Sequence, residues 1–157
     1  MKAASLKELK TELYNLTPEQ VLNLCMHLAK YKKENKELLT YLLFEAHDEQ
    51  SYIKEIKEQI DALFNDVNKS HIYLAKKTLR KILRITNKYI KYSGSKQTEV
   101  ELLIYFCKKL RKSGIPLHVN TVVGNIYFRQ ILKIKKSLST LHEDLQYDYT
   151  EEMKILL

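Results

Sequence analysis

Residues 72–92 read IYLAKKTLRKILRITNKYIKY, and they carry two stripes at helical spacing. One stripe is apolar or small and predicts a buried face: Ile72, Ala75, Leu79, Ile82, Leu83, Thr86 and Ile90. The other is basic and steps by four or three residues: Lys77, Lys81, Arg84, Lys88 and Lys91. We therefore expect a helix that opens at Asn68 or Ser70, runs to about Tyr92, and is buried on one side and basic on the other.

The helical period extends to both sides of this segment. Before it, with Asp48 as the cap, the apolar positions step by three and four: Ile53, Ile56, Ile60, Leu63 and Val67. After the glycine break at Gly94, a helix is predicted from about Gln97 to Lys112. Its apolar face is expected to comprise Val100, Leu103, Ile104, Cys107 and Leu110.

Start signals define the N-terminal helices, whereas the C-terminal third is more ambiguous. Ser5 with Glu8, and Thr17-Pro18 with Gln20, are typical of two helix starts. A third helix carries the leucines of residues 38–43. Residues 117–123 are open to helix, loop or strand, and we expect a seventh helix over roughly Thr121 to Leu138. Residues 142–157 are predicted to form a short terminal helix or a frayed tail.

The composition favours long helices. Glycine and proline together number only five of 157 residues, which leaves few turns. We predict an all-α single domain over residues 1–157, with about seven helices in an antiparallel bundle or a short superhelical stack. A short echo at an offset of 64 residues, Glu37-Leu38-Leu39-Thr40-Tyr41 against Glu101-Leu102-Leu103-Ile104-Tyr105, leaves a helical repeat open.

The formal net charge of +8 is unevenly distributed. Residues 1–68 carry 9 basic and 12 acidic side chains, whereas residues 69–136 carry 17 basic and 2 acidic ones. The C-terminal tail, residues 137–157, is acidic again, with 1 basic and 5 acidic side chains. No acidic residue lies between Asp66 and Glu99. A basic segment without carboxylates, as between Asp66 and Glu99, predicts a surface that attracts polyanions.

The first hypothesis is therefore a basic face on helices five to seven that binds nucleic acid or another polyanion. Tyr89 and Tyr92 are interleaved with the lysines and are candidates for stacking on bases. The candidate contact residues are Lys77, Lys81, Arg84, Lys88, Lys91, Arg129, Lys133 and Lys136. The alternative is a protein-interaction or regulatory adaptor whose acidic segments neutralise the basic one. One version of this alternative is an adaptor that binds a second copy of itself. A third alternative is that the basic stripe only contacts water and binds no specific partner.

Catalytic and metal-binding patterns are not found in the sequence. The five histidines are scattered, and neither a phosphate loop nor a nucleophile elbow is present. Cys25 and Cys107 are predicted to be buried thiols in a reducing compartment. We expect no enzyme activity, no cofactor and no metal. Residues 1–13 lack a signal-like apolar region and no run suits a membrane span, so a cytoplasmic location is expected.

The N-terminal 40 residues carry a resemblance. Leu6-Lys7-Glu8-Leu9-Lys10, followed by Thr17-Pro18-Glu19-Gln20-Val21-Leu22, is similar to the start of uncharacterised bacterial all-helical domains of unknown function. It also resembles the SAP-type DNA-binding hairpin. That motif has a glycine in its turn, where this chain has Asn15-Leu16-Thr17-Pro18. The resemblance implies a helical fold and no particular activity.

Overall fold

The computed structural model describes residues 1–156, and this part of the chain consists of helices and connecting loops, without a strand. The α-helices are α1 Leu6–Tyr14, α2 Pro18–Tyr31, α3 Lys33–Thr40, α4 Glu49–Asn65, α5 Ile72–Ser93, α6 Lys96–Lys112, α7 Val122–Leu138 and α8 Glu143–Lys154. A π-helical turn, Tyr41–Glu45, follows α3. The all-α prediction is confirmed. The helix count within the described residues is eight rather than seven, because residues 143–154 form a full terminal helix.

Two compact units divide the chain, one covering residues 1–44 and the other beginning at Glu45. In the first unit, capping boxes at Ser5 and Thr17 start α1 and α2 at the predicted residues. Helices α2 and α3 pack against each other, and Asn35 Nδ2 donates a hydrogen bond to the carbonyl of Leu28 over 2.8 Å. No residue of α1, α2 or α3 is buried.

The second unit is built around α6, which packs against α4, α5, α7 and α8. Its predicted apolar face is buried, and so are residues on its other sides, including Leu102 and Phe106. Because four other helices enclose α6, nearly its whole circumference is buried. The single apolar face predicted from the sequence was therefore too narrow. Helices α4 and α5 also pack together, as do α7 and α8.

Three local expectations need correction. Cys25 is exposed rather than buried, because its helix has no core to pack into. On the predicted buried face of α5, Ile72 is exposed, since it precedes the first buried residue, Ala75, and Leu83 is only half-buried. Residues 117–121, which the sequence left open to helix, loop or strand, are irregular, and α7 begins at Val122 with Thr121 as its cap.

The close packing before α7 gives Gly124 a specific role. A Cβ atom at Gly124 would lie 2.0 Å from the backbone carbonyl oxygen of His118. Thr121 holds this turn by donating a hydrogen bond to the same carbonyl and accepting one from the Gly124 amide. Glycine is therefore required here because the preceding loop folds back onto the first turn of the helix.

The two segments of the proposed sequence repeat occupy different positions. Residues 37–41 end the eight-residue helix α3 and enter the π turn, whereas residues 101–105 lie in the middle of the 17-residue helix α6. The offset of 64 residues does not relate two equivalent helices.

Candidate polyanion interface

The basic stripe of α5 lies on its exposed side. Lys77, Lys81, Arg84 and Lys91 are exposed, as expected from their spacing opposite the buried face. Arg80 is also exposed and Lys76 is half-buried beside them. We call the five cations over residues 76–84 the α5 basic strip: Lys76, Lys77, Arg80, Lys81 and Arg84.

A shallow groove of about 710 Å³ runs along this strip. Its lining consists of Tyr73, Lys76, Lys77, Thr78, Arg80, Lys81 and Arg84. Tyr73 is 68% exposed, and the Lys76 ammonium lies 5.0 Å from the centre of its ring. Lys76 and Arg80, which flank the predicted stripe, were not among the predicted site residues. Tyr73 was missed, although its place four residues before Lys77 puts it on the same face.

Within residues 45–156, no carboxylate forms an ion pair with any member of the α5 basic strip. The strip lies in the acid-free interval of the sequence, and Asp61 of α4 and Glu152 of α8 form their ion pairs with α6. The first turn of α5 contains no acidic side chain, and the cap residue His71 makes no side-chain capping hydrogen bond. The positive end of the helix dipole thus adds to the charge of the strip.

The remaining stripe residue, Lys88, has a different environment. It is half-buried, and its ammonium lies 4.8 Å from the ring centre of Tyr89 and 5.9 Å from that of Tyr92. The two rings meet edge to face with centres 6.0 Å apart. Lys88 and both tyrosines, which were candidates for contacting nucleic acid, are therefore engaged with one another on α5.

The three candidate residues of α7 separate in the same way. Arg129 and Lys136 are exposed. Lys133 lies between them, and its Nζ is 2.9 Å from Glu99 Oε1 and 2.7 Å from Asn87 Oδ1. Lys133 thus links α7 to α6 and α5, and its charge is matched by a carboxylate within the protein.

Glu99, which ends the acid-free interval, was not among the predicted site residues, yet it is the carboxylate that pairs with Lys133. It is only 6% exposed, and its second oxygen accepts hydrogen bonds from Lys96 Nζ and Ser137 Oγ, each over 2.7 Å. Burial by itself raises the pKa of the carboxyl group. The hydrogen bonds from Lys96, Lys133 and Ser137 outweigh burial and lower the pKa to about 2.

The basic end of α6 is partly neutralised by its neighbours. Lys108 Nζ lies 2.5 Å from Glu152 Oε2 of α8, and Lys109 Nζ lies 2.7 Å from Asp61 Oδ1 of α4. The acidic segments therefore match some of the basic region, as the adaptor hypothesis expects, but they match α6 and not the α5 basic strip.

The first unit presents apolar rather than charged features. Residues 6–44 expose twelve large apolar side chains: Leu6, Leu9, Leu13, Tyr14, Leu22, Leu24, Met26, Leu28, Tyr31, Leu42, Leu43 and Phe44. Residues 45–156 expose nine among nearly three times as many residues. A surface so rich in exposed apolar side chains is typical of an interaction site.

Two grooves lie along the α2–α3 hairpin. One, of about 310 Å³, has no charged lining residue, and we call it the charge-free face: Cys25, Leu28, Ala29, Asn35, Leu38, Leu39 and Leu42. The other, of about 570 Å³, has an apolar floor that includes Met26, Leu43 and Phe44. Its rim carries four lysines, Lys30, Lys32, Lys33 and Lys36, so we call it the lysine-rimmed face.

Among residues 1–156, no three His, Cys, Asp or Glu side chains are grouped so as to hold a metal ion. Burial raises the pKa of the Cys107 thiol to about 12, so this thiol is protonated at neutral pH. No helix in residues 1–156 has the length and apolar character to cross a membrane.

Comparisons with protein-family models, with curated proteins and with solved structures found no match to this chain. The resemblance of the N-terminal helices to uncharacterised bacterial domains therefore stays a prediction.

Proposed function

We propose that this protein is a non-enzymatic helical module that binds nucleic acid through the α5 basic strip. The observation that carries the proposal is a row of five cations that no carboxylate of residues 45–156 neutralises. The proposal narrows the sequence-based hypothesis, because Lys88 and Lys133 have partners inside the protein and contribute less to binding.

The charge arrangement is costly for an isolated helix. The five cations of the strip form five like-charged neighbour pairs at spacings of three or four residues, such as Lys77 with Lys81 and Arg80 with Arg84. At a few tenths of a kcal/mol for each pair, the repulsion amounts to about 2 kcal/mol at low salt. A polyanion bound along the strip relieves this repulsion.

The dimensions of the strip suit a nucleic-acid backbone. At a rise of about 1.5 Å per residue, the nine residues from Lys76 to Arg84 span about 12 Å. Over the same length, duplex DNA presents about seven phosphates on its two strands. The density of positive charge on the strip is thus close to that of negative charge on the ligand. The exposed ring of Tyr73 adds a surface on which an unpaired base can stack.

Charge reversal on the strip tests the proposal. The double variant Lys77→Glu, Arg84→Glu retains three cations and lowers the net charge by four. The matched control Lys7→Glu, Lys10→Glu makes the same change on the exposed helix α1. We expect fluorescence anisotropy of labelled single- and double-stranded DNA to show at least a tenfold loss of affinity for the strip variant. The control should retain most of the affinity, and equal losses for the two variants would contradict the proposal.

A protein-interaction role is a second candidate function, and the apolar first unit favours it. Nucleic-acid binding by α5 does not explain why residues 6–44 expose twelve large apolar side chains.

A further inference from the structure

The α2–α3 hairpin contains apolar helices that lack a core. Both helices present apolar side chains at helical spacing, yet neither has a buried residue. Isolated helices of 14 and 8 residues are marginal in water, and most helical stability in proteins comes from burying an apolar face. The hairpin is therefore a structure that gains stability when another surface covers it.

The area available matches what a dimer requires. With about 200 Å² for each fully exposed large side chain, the exposed fractions of the eight large apolar residues of α2 and the π turn correspond to on the order of 900 Å². A standard protein interface covers about 800 Å² on each partner, and about 65% of a homodimer interface is apolar. Covering somewhat more than half of this apolar surface is thus enough for a stable contact.

The charge distribution distinguishes the two faces of the hairpin as sites for a second copy. In a two-fold contact the same patch of both copies meets, so side chains near the axis lie close to their own symmetry mates. On the lysine-rimmed face this arrangement brings like charges together, including those of Lys30 and Lys36. On the charge-free face it brings Leu28 and Leu42 towards their mates, and none of the seven residues that line this groove is charged.

We propose that the chain forms a homodimer in which the charge-free faces of two hairpins pack together. Two antiparallel helix pairs then make a four-helix bundle, the common arrangement that buries such faces. Leu28 and Leu42, which are 58% and 56% exposed in the single chain, lie in the core of this bundle. The dimer is independent of nucleic-acid binding by α5, so either proposal can fail without the other.

Sedimentation equilibrium of the full chain between 1 and 200 µM tests the dimer. The wild type should approach twice the monomer mass as concentration rises. Leu28→Glu, which places a charge in the contact, should weaken association by at least 100-fold. The matched control Leu132→Glu alters a leucine of α7 that is 67% exposed, and it should dimerise like the wild type. Far-ultraviolet circular dichroism verifies that each variant is helical.

Cys25 provides a second readout that does not depend on a destabilising substitution. Its thiol lies on the charge-free face, so the two thiols of a dimer are close enough for a short bismaleimide to link them. Dimer should be trapped with the wild type, not with Cys25→Ser, and only weakly with Leu28→Glu. Cys107 is buried and does not compete for the reagent.

Three outcomes would overturn the inference. The first is a wild type that stays monomeric up to 200 µM. The second is a dimer that Leu28→Glu leaves intact, since its contact then lies elsewhere. The third is a monomer that pellets with vesicles of anionic lipid in a manner lost with Leu28→Glu, which would make a membrane surface the occupant of this face.

Discussion

Replacing Glu99 by glutamine tests the buried ion cluster that joins α6 to α7. In the wild type, the carboxylate is 6% exposed and receives hydrogen bonds from Lys96, Lys133 and Ser137. The ordinary pKa of 4.5 falls to about 2 in the folded protein. At about 1.4 kcal/mol for each tenfold change in the ionisation equilibrium, this difference corresponds to about 3 kcal/mol of stability at neutral pH.

The glutamine variant should lose most of that contribution. Lys96 and Lys133 keep 58% and 40% of their side chains exposed, so water solvates both ammonium groups once the carboxylate is gone. We therefore expect the free energy of unfolding at pH 7 to fall by about 2 kcal/mol. Glu152→Gln is the control, because its pair with Lys108 is more exposed and should contribute less than about 1 kcal/mol.

The pH dependence follows from the direction of the pKa shift. A carboxyl group whose pKa is lowered by folding stabilises the protein fully above pH 4.5, and this stabilisation is lost as the pH falls towards 2. Urea unfolding followed by circular dichroism should show the gap between wild type and Glu99→Gln shrinking by more than half between pH 7 and pH 3. Equal stability at pH 7, or a gap unchanged at pH 3, would refute the reasoning.

Three further predictions concern α5, α7 and the cysteines. Lys77→Glu with Arg84→Glu turns five like-charged neighbour pairs on α5, four of them within the α5 basic strip, into attractive ones, so chemical denaturation should show a gain of about 1 to 2 kcal/mol while DNA binding is lost. Gly124→Ala should lower the free energy of unfolding by about 1 to 2 kcal/mol despite the helix preference of alanine, because the new methyl group meets a backbone carbonyl. In dilute native protein, a thiol-disulfide reagent should modify Cys25 rapidly, whereas Cys107 should react only after unfolding.

Much of the helical framework could be predicted from local sequence signals. The signals were all short-range: the capping boxes of α1 and α2, the glycine break at Gly94, and the three-and-four spacing of apolar residues in α4 and α5. The helices that these signals predicted begin or end within a few residues of the predicted positions. The buried positions of α5 were also predicted correctly apart from Ile72, which is exposed, and Leu83, which is half-buried, because a long amphipathic helix has one clear apolar face.

The environment of each face could not be predicted in the same way. The apolar stripe of α2, which includes Cys25, looks like a core-facing stripe, and periodicity does not state whether a partner helix covers it. The pairing of Glu99 with Lys133 joins residues 34 positions apart, and such long-range contacts depend on how α6 and α7 pack. One local signal was present, since Glu99 lies four residues before Leu103 and therefore on the predicted apolar face of α6.

The same reasoning explains which basic residues changed their role. In the sequence, Lys81, Lys88 and Lys133 are equivalent members of basic stripes. In the structure, Lys81 has no carboxylate partner within residues 45–156, Lys88 lies against two tyrosine rings, and Lys133 is held by Glu99. Spacing identifies the basic face, but only packing shows which of its charges are available to a ligand.

The most direct test of nucleic-acid binding is the salt dependence of affinity for a DNA duplex between 50 and 200 mM salt. If all five cations of the α5 basic strip contact phosphates, the logarithm of affinity should fall against the logarithm of salt concentration with a slope of about −4.5. Removing two contacts with Lys77→Glu, Arg84→Glu should flatten the slope by about 1.8. The Lys7→Glu, Lys10→Glu control should keep the wild-type slope. Absence of binding at 50 mM salt, or the same slope for both double variants, would contradict the assignment of α5 as the binding surface.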